Sequence, residues 1–246
     1  MIGLGTLINT GAVIVGGVIG LFFGKLIGKR LQTALITACG VSTLFIGIGG
    51  VLEKMLVYDN GKFSTQGMLM MIICMALGTL IGELINIDKG MEKLGDWLKA
   101  KTAKKSADDN TAEDATFTQG FLTASITFCV GAMTIIGSIE DGIYGDYSIL
   151  LAKSVLDFIM VIVLTSTLGK GCIFSAIPVF VIQSLFTLLG YFIGPILSDG
   201  ALNNLSYVGS VLIFCVGLNL LFPNKVKVAN MLPAVLLAVA YAYLPI

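Results

Sequence analysis

Histidine is absent from this 246-residue chain, tryptophan occurs once, and charge is scarce: 15 Lys/Arg and 15 Asp/Glu make up only 12% of the residues. Without histidine the usual neutral-pH proton shuttle and the commonest transition-metal ligand are both missing. The five cysteines (Cys39, Cys74, Cys129, Cys172 and Cys215) are odd in number and form no CxxC, so they read as small buried residues and not as disulfides or metal ligands. No cofactor is expected. Nor is an enzyme, since no metal-ligand cluster or nucleophile–base pair stands out. Net charge is zero and no basic cluster interleaves with aromatics, which argues against a nucleic-acid partner. No P-loop or GxGxxG occurs in a strand–turn–helix setting. The start, "MIGLGTLINTGAV", lacks a basic n-region and reads as the beginning of an apolar span.

What the chain does have is apolar length. Hydrophobic residues make up 56% of it, against about a quarter charged residues in an ordinary soluble domain. Runs of 17 or more apolar residues recur throughout, with none of the short alternating segments of a β-barrel. The expected class is an all-α polytopic membrane protein, a single domain in the lipid bilayer. Eight spans are expected, at 2–24, 32–52, 66–86, 118–138, 147–169, 172–197, 202–222 and 228–244. With the N-terminus outside, the loops after spans 1, 3, 5 and 7 carry twelve Lys/Arg, and the opposite side carries only Lys54 and Lys62. That asymmetry predicts both termini outside and the long polar segment 88–117 in the cytoplasm. Within it, "DKGMEKLGDWLKA" sets Met91, Leu94, Trp97 and Leu98 at helical spacing. This suits either an amphipathic helix on the inner leaflet or a solvated cap on the bundle, with 101–117 as a flexible linker.

Three segments share a pattern: "GLFFGKLIG" from Gly20, "GTLIGELI" from Gly78 and "GYFIGPIL" from Gly190. Each closes a span with two glycines four apart and leads into a second glycine-spaced span. The interval to the next span's first glycine is 16 residues from Gly24 to Gly40 and 15 from Gly194 to Gly209, but 49 from Gly82 to Gly131. The long loop therefore reads as an insertion into a repeat unit. Spans 3–5 and 6–8 form two three-helix units, with spans 1–2 a partial copy, and units offset by three helices insert with inverted orientation, as in secondary transporters. Gly16, Gly20, Gly24 and Gly28 also form a ladder along span 1 where another backbone can approach, within the chain or between subunits of a homo-oligomer.

Two charges lie inside an apolar run, "LLAKSVLDFIMVIV": Lys153 and Asp157, four residues apart and so on one helical face. A charge near midplane costs at least ~2.5–3.5 kcal/mol, so the pair must face the bundle interior or water. It is either an ion pair that fixes register or a binding site for a small solute or ion. Gln183 and Ser184, Ser42 and Thr43, and Ser125 and Thr127 reach comparable depths, while Asn9 and Thr10 lie nearer the outer face, level with Lys153. Each can be a helix–helix hydrogen bond, and together they can line a polar cavity. Pro178 and Pro233 are expected to interrupt spans 6 and 8, and Asn219, Asn230 and Glu83 to cap helices near the inner ends.

"GTLINTGAVIVGGVIGLFFG", "FCVGAMTIIGSIEDG", "LLAKSVLDF", "STLGKG" and "KVKVANMLPA" resemble the YqgA/YdfK-like family of bacterial inner-membrane proteins, nearly end to end. The resemblance implies a multi-pass inner-membrane location and a transport label, but no established site. Asn9, Thr10, Lys153 and Asp157 match family-like positions. Two functional classes follow: a carrier or channel-like protein for a small solute or ion, or a non-transporting scaffold or sensory partner acting through the lysine-rich loop.

Overall fold

In the computed structural model the apolar runs all form helices, because a backbone placed in lipid must satisfy its own hydrogen bonds. The structure describes residues 1–246 apart from 24–27, 60, 91–92, 94–111, 130–131, 223–224 and 245–246. The principal elements are α1 (Leu4–Phe23), α2 (Lys29–Met55), the hairpin β1 (Leu56–Asp59) and β2 (Lys62–Thr65), and α3 (Met68–Ile85). After the loop come α4 (Ala112–Cys129), α5 (Ala132–Tyr144), α6 (Ser148–Leu168), a 3-10 segment at Gly169–Ser175, and α7 (Ala176–Ile193). The chain closes with a second 3-10 turn at Gly194–Ile196, then α8 (Asp199–Leu221), α9 (Val228–Met231) and α10 (Pro233–Tyr241).

By length and composition five apolar stretches among the described residues can cross a bilayer: Leu4–Phe23, Thr33–Met55, Met68–Ile85, Ser148–Ile196 and Asp199–Leu221. A sixth appears if Gln119–Cys129 and Met133–Tyr144, which meet at 57°, count as one broken span. This is fewer than the eight expected. Spans 147–169 and 172–197 fall together in Ser148–Ile196, and 228–244 resolves into two helices of 4 and 9 residues divided at Pro233. A straight helix of 49 residues would measure ~74 Å, far beyond the ~30 Å hydrocarbon core. The packing shows that Ser148–Ile196 doubles back. Gly5, Gly16 and Gly20 of α1 face Leu150, Val161 and Ile162 in that order, so α1 and α6 run parallel. Thr6 meets Thr187 and Gly17 faces Ile173, so α7 runs antiparallel to α1. The reversal lies in the 3-10 segment.

Several boundaries also differ from expectation. The linker placed at 101–117 ends earlier, since α4 begins at Ala112 and Phe117 packs edge-to-face on Phe174 at 5.3 Å. Residues 101–111 and most of the expected amphipathic helix lie outside the described residues, as does Gly24. Gly28 precedes α2 and has open space around it, so it does not extend the ladder of α1. Pro178 does not interrupt a helix: it occupies the first turn of α7, where the missing N–H costs no hydrogen bond.

Close approach of backbones decides which helices neighbour which. A Cβ on Gly20 would stand 2.7 Å from the Ile162 carbonyl oxygen, and one on Gly82 would strike the Asn230 carbonyl. Two apolar cores result. One gathers Met70, Ile136, Tyr207, Leu212 and Ala234, and the other Val13, Phe128, Val161 and Val179. Large side chains such as Phe22, Phe45, Leu84, Ile177, Leu185 and Phe192 point outward, giving the apolar exterior that a helical membrane protein presents to lipid.

Candidate functional site

The parallel packing of α1 on α6 brings together residues far apart in sequence. Lys153, Ser154 and Asp157 lie on the buried face of α6, with Lys153 and Asp157 each 6% exposed. The Lys153 ammonium pairs with Asp157 Oδ2 one helical turn away. Asn9, fully buried on α1, donates from Nδ2 to the same oxygen at 2.9 Å. Asp157 is the tenth residue of the 21-residue α6 and so lies near the middle of that helix. Two donors thus converge on one carboxylate oxygen, the kind of pairing that a charged group in a bundle interior requires. Cys129, at the end of α4, lies within electrostatic range of both charges.

Gln183, on α7, stands at a similar level along α1. Because α7 is antiparallel to α1 with Thr6 opposite Thr187, the turn carrying Gln183 lies level with the turn carrying Asn9 and Thr10. Gln183 is fully buried, and neither its Oε1 nor its Nε2 has a hydrogen-bonding partner among the described residues; Asn9 Oδ1 is likewise unpartnered. Leaving such groups unsatisfied costs about 1–3 kcal/mol each, so a fold that retains them ordinarily gives them water or a solute.

The other expected site residues are not brought in. Thr10, Ser42, Thr43, Ser125 and Thr127 each donate to the carbonyl four residues earlier in their own helix, at 2.6–3.0 Å. Ser42 and Thr127 face outward, while Ser184 is half-buried beside Gln183. At the opposite end from the hairpin, Asn219 bonds both backbone groups of Val226, and Asn230 Oδ1 accepts from the Asp88 amide at 2.7 Å. These asparagines fasten loops to helix ends.

Residues absent from the sequence reading of the site are Glu140 and Asp141 on α5, 8% and 0% exposed. Asp141 takes the Gly3 amide on Oδ1 at 3.2 Å and tethers the N-terminal turn. Glu140 instead lines a cavity. The signal was present: two adjacent carboxylates end an apolar run. A span ending at 138 leaves them just outside the apolar run.

The family model described as "Protein of unknown function (DUF554)" matches residues 4–243. The chain is 31% identical over 233 residues to the Uncharacterized membrane protein YdfK of Bacillus subtilis (strain 168), covering 95% of this chain and 93% of that one. It is 30% identical over 235 residues to the Uncharacterized protein YqgA of Escherichia coli (strain K12), covering 96% and 94%. No solved structure matches.

Proposed function

We propose that this chain, which belongs to the DUF554 family, carries a small solute or ion across the bacterial inner membrane, with Asp157 as the binding carboxylate. The observation that carries the reading is the buried constellation of Asp157, Lys153 and Asn9 with Gln183 unpartnered at the same level. A register-fixing ion pair needs only its two members, and an amide with no partner on either atom adds nothing to it. A binding centre uses such an amide: Gln183 supplies a donor and an acceptor, and Asp157 the charge. Lys153 holds the site near neutrality while no cation is bound. Binding and release require no covalent step.

The same reading includes eight crossings with both termini outside and the 88–117 loop in the cytoplasm, supported by the distribution of lysines. The reversal at Gly169–Ser175 supports counting Ser148–Ile196 as two of them. It also includes inverted three-helix units, which rest on the recurrence of the glycine pairs Gly78/Gly82 and Gly190/Gly194 in the sequence.

The test is ligand-induced thermal stabilisation of the purified full-length protein, followed by uptake into proteoliposomes of any compound that stabilises it. A ligand at 100 times its Kd stabilises by about 2.7 kcal/mol, a shift that Asp157→Asn should lose together with uptake. A ligand bound and transported equally well by Asp157→Asn would refute the assignment.

A further inference from the structure

A second polar site lies at the hairpin end of the bundle, separate from the Asp157 centre. Here α2, α5, α6 and α8 enclose a cavity of about 290 Å³, lined among others by Glu53, Lys54, Glu140, Tyr144, Asp146 and Ser206. We propose that it binds a small organic ammonium ion, with Glu140 as the principal counter-charge. Three carboxylates face one ammonium in the lining, and that ammonium, Lys54, is already paired with Glu53 at 2.8 Å. Asp146 is partly engaged in holding the Ser148 amide at 2.9 Å at the start of α6. Glu140 differs from both. It is 8% exposed, interacts with the Ser206 hydroxyl, and has no ion-pair partner among the described residues. Lys54, held on Glu53, acts on it only at longer range, and a carboxylate so far withdrawn from water with no cation in contact is costly; it lines the cavity.

The lining specifies the ligand class. A bare alkali ion needs a tight oxygen cage, whereas this space is much larger than one ion. Tyr144 adds an aromatic side chain to the lining beside the carboxylates, the combination of residue types that recognises alkylammonium groups. Ser206 and Ser210 add hydroxyl groups. Ile149, in the cavity wall, is one turn of α6 (~6 Å along the axis) from Lys153. On the transport reading, the cavity is the approach to the Asp157 centre and names a solute class for it. Only that connection rests on the transport reading; binding at Glu140 does not.

The experiment is calorimetric titration of the purified full-length protein with propylammonium chloride, alongside 1-propanol, sodium chloride and potassium chloride. Propylammonium should bind while propanol and the two salts do not, and Glu140→Gln should weaken it by about tenfold or more, the loss of one charge-assisted hydrogen bond. No binding, equal binding of propanol or an alkali ion, or unchanged affinity in Glu140→Gln overturns the proposal. If Glu140→Gln does not fold, labelling of Ser148→Cys at the exposed rim gives a second reading. A trimethylammonium methanethiosulfonate should react faster than its sulfonate counterpart, and propylammonium should slow it. Equal rates, or a faster sulfonate, would sink the site. Propylammonium that binds but does not cross proteoliposomes would refute transport of this class and leave the site standing.

Discussion

Asn9 reaches Asp157 across 148 residues of sequence, its Nδ2 2.9 Å from the carboxylate oxygen that also holds Lys153. The bond exists because α1 and α6 lie side by side in parallel, which non-consecutive helices of a bundle can do. It makes the carboxylate the meeting point of two helices, and its removal has a defined effect. Asn9→Leu should cost about 1.5–3 kcal/mol, the range for a hydrogen bond to a charged group. Thermal unfolding in detergent measures it, and a change below about 0.5 kcal/mol would place the bond outside the energetics of the fold.

Removing one member of the ion pair should be worse than removing both. Lys153→Met leaves Asp157 buried with only Asn9, for an expected loss of about 3–5 kcal/mol. Lys153→Met with Asp157→Leu should recover most of that stability yet lose uptake of the transported ligand into proteoliposomes. A double variant that keeps uptake would make the pair structural.

Gly20 tests the contact that sets α1 against α6. Gly20→Ala places a methyl group 2.7 Å from the Ile162 carbonyl oxygen, so the helices must separate, at a cost of about 1–3 kcal/mol. Gly11, with nothing within 4 Å of its would-be Cβ, is the control. Its alanine variant should be neutral or slightly stabilising, since alanine favours a helix interior over glycine. Equal melting temperatures for both variants would contradict this packing.

Deleting 101–111 should leave a monodisperse, folded protein, whereas a deletion that continues through Phe117 should not. Phe117 stacks on Phe174, and Gly171 lies against the Phe117 carbonyl, so the start of α4 supports the 3-10 reversal. Size-exclusion chromatography of the two deletions distinguishes them, and equal behaviour would mean that this end of α4 is dispensable.

Single cysteines introduced in a Cys-less background at 61 and at 104 should be labelled from opposite sides of intact cells, the first by a membrane-impermeant reagent added outside. Labelling of 104 alone from outside would reverse the orientation.

What the sequence determined by itself is what depends on composition and on spacing along one helix. Long apolar runs compel helices in lipid, and the four-residue interval put Lys153 and Asp157 on one face before any neighbour was known. Serines and threonines in those runs carry little information, because each can bond its own helix four residues back, as Ser42 and Ser125 do. Tertiary structure decided which polar residues meet. Asn9 joins Asp157 only because α1 packs parallel to α6, and Gln183 comes level with them because α7 is antiparallel to α1, through glycine contacts that many similar glycines in the sequence could equally have made. The division between α4 and α5 and the direction in which Glu140 faces were likewise beyond one-dimensional reading. Hydropathy measures how apolar a run is, while the angle at which it breaks, and the cavity that opens at the far end of α5, depend on the helices packed around it.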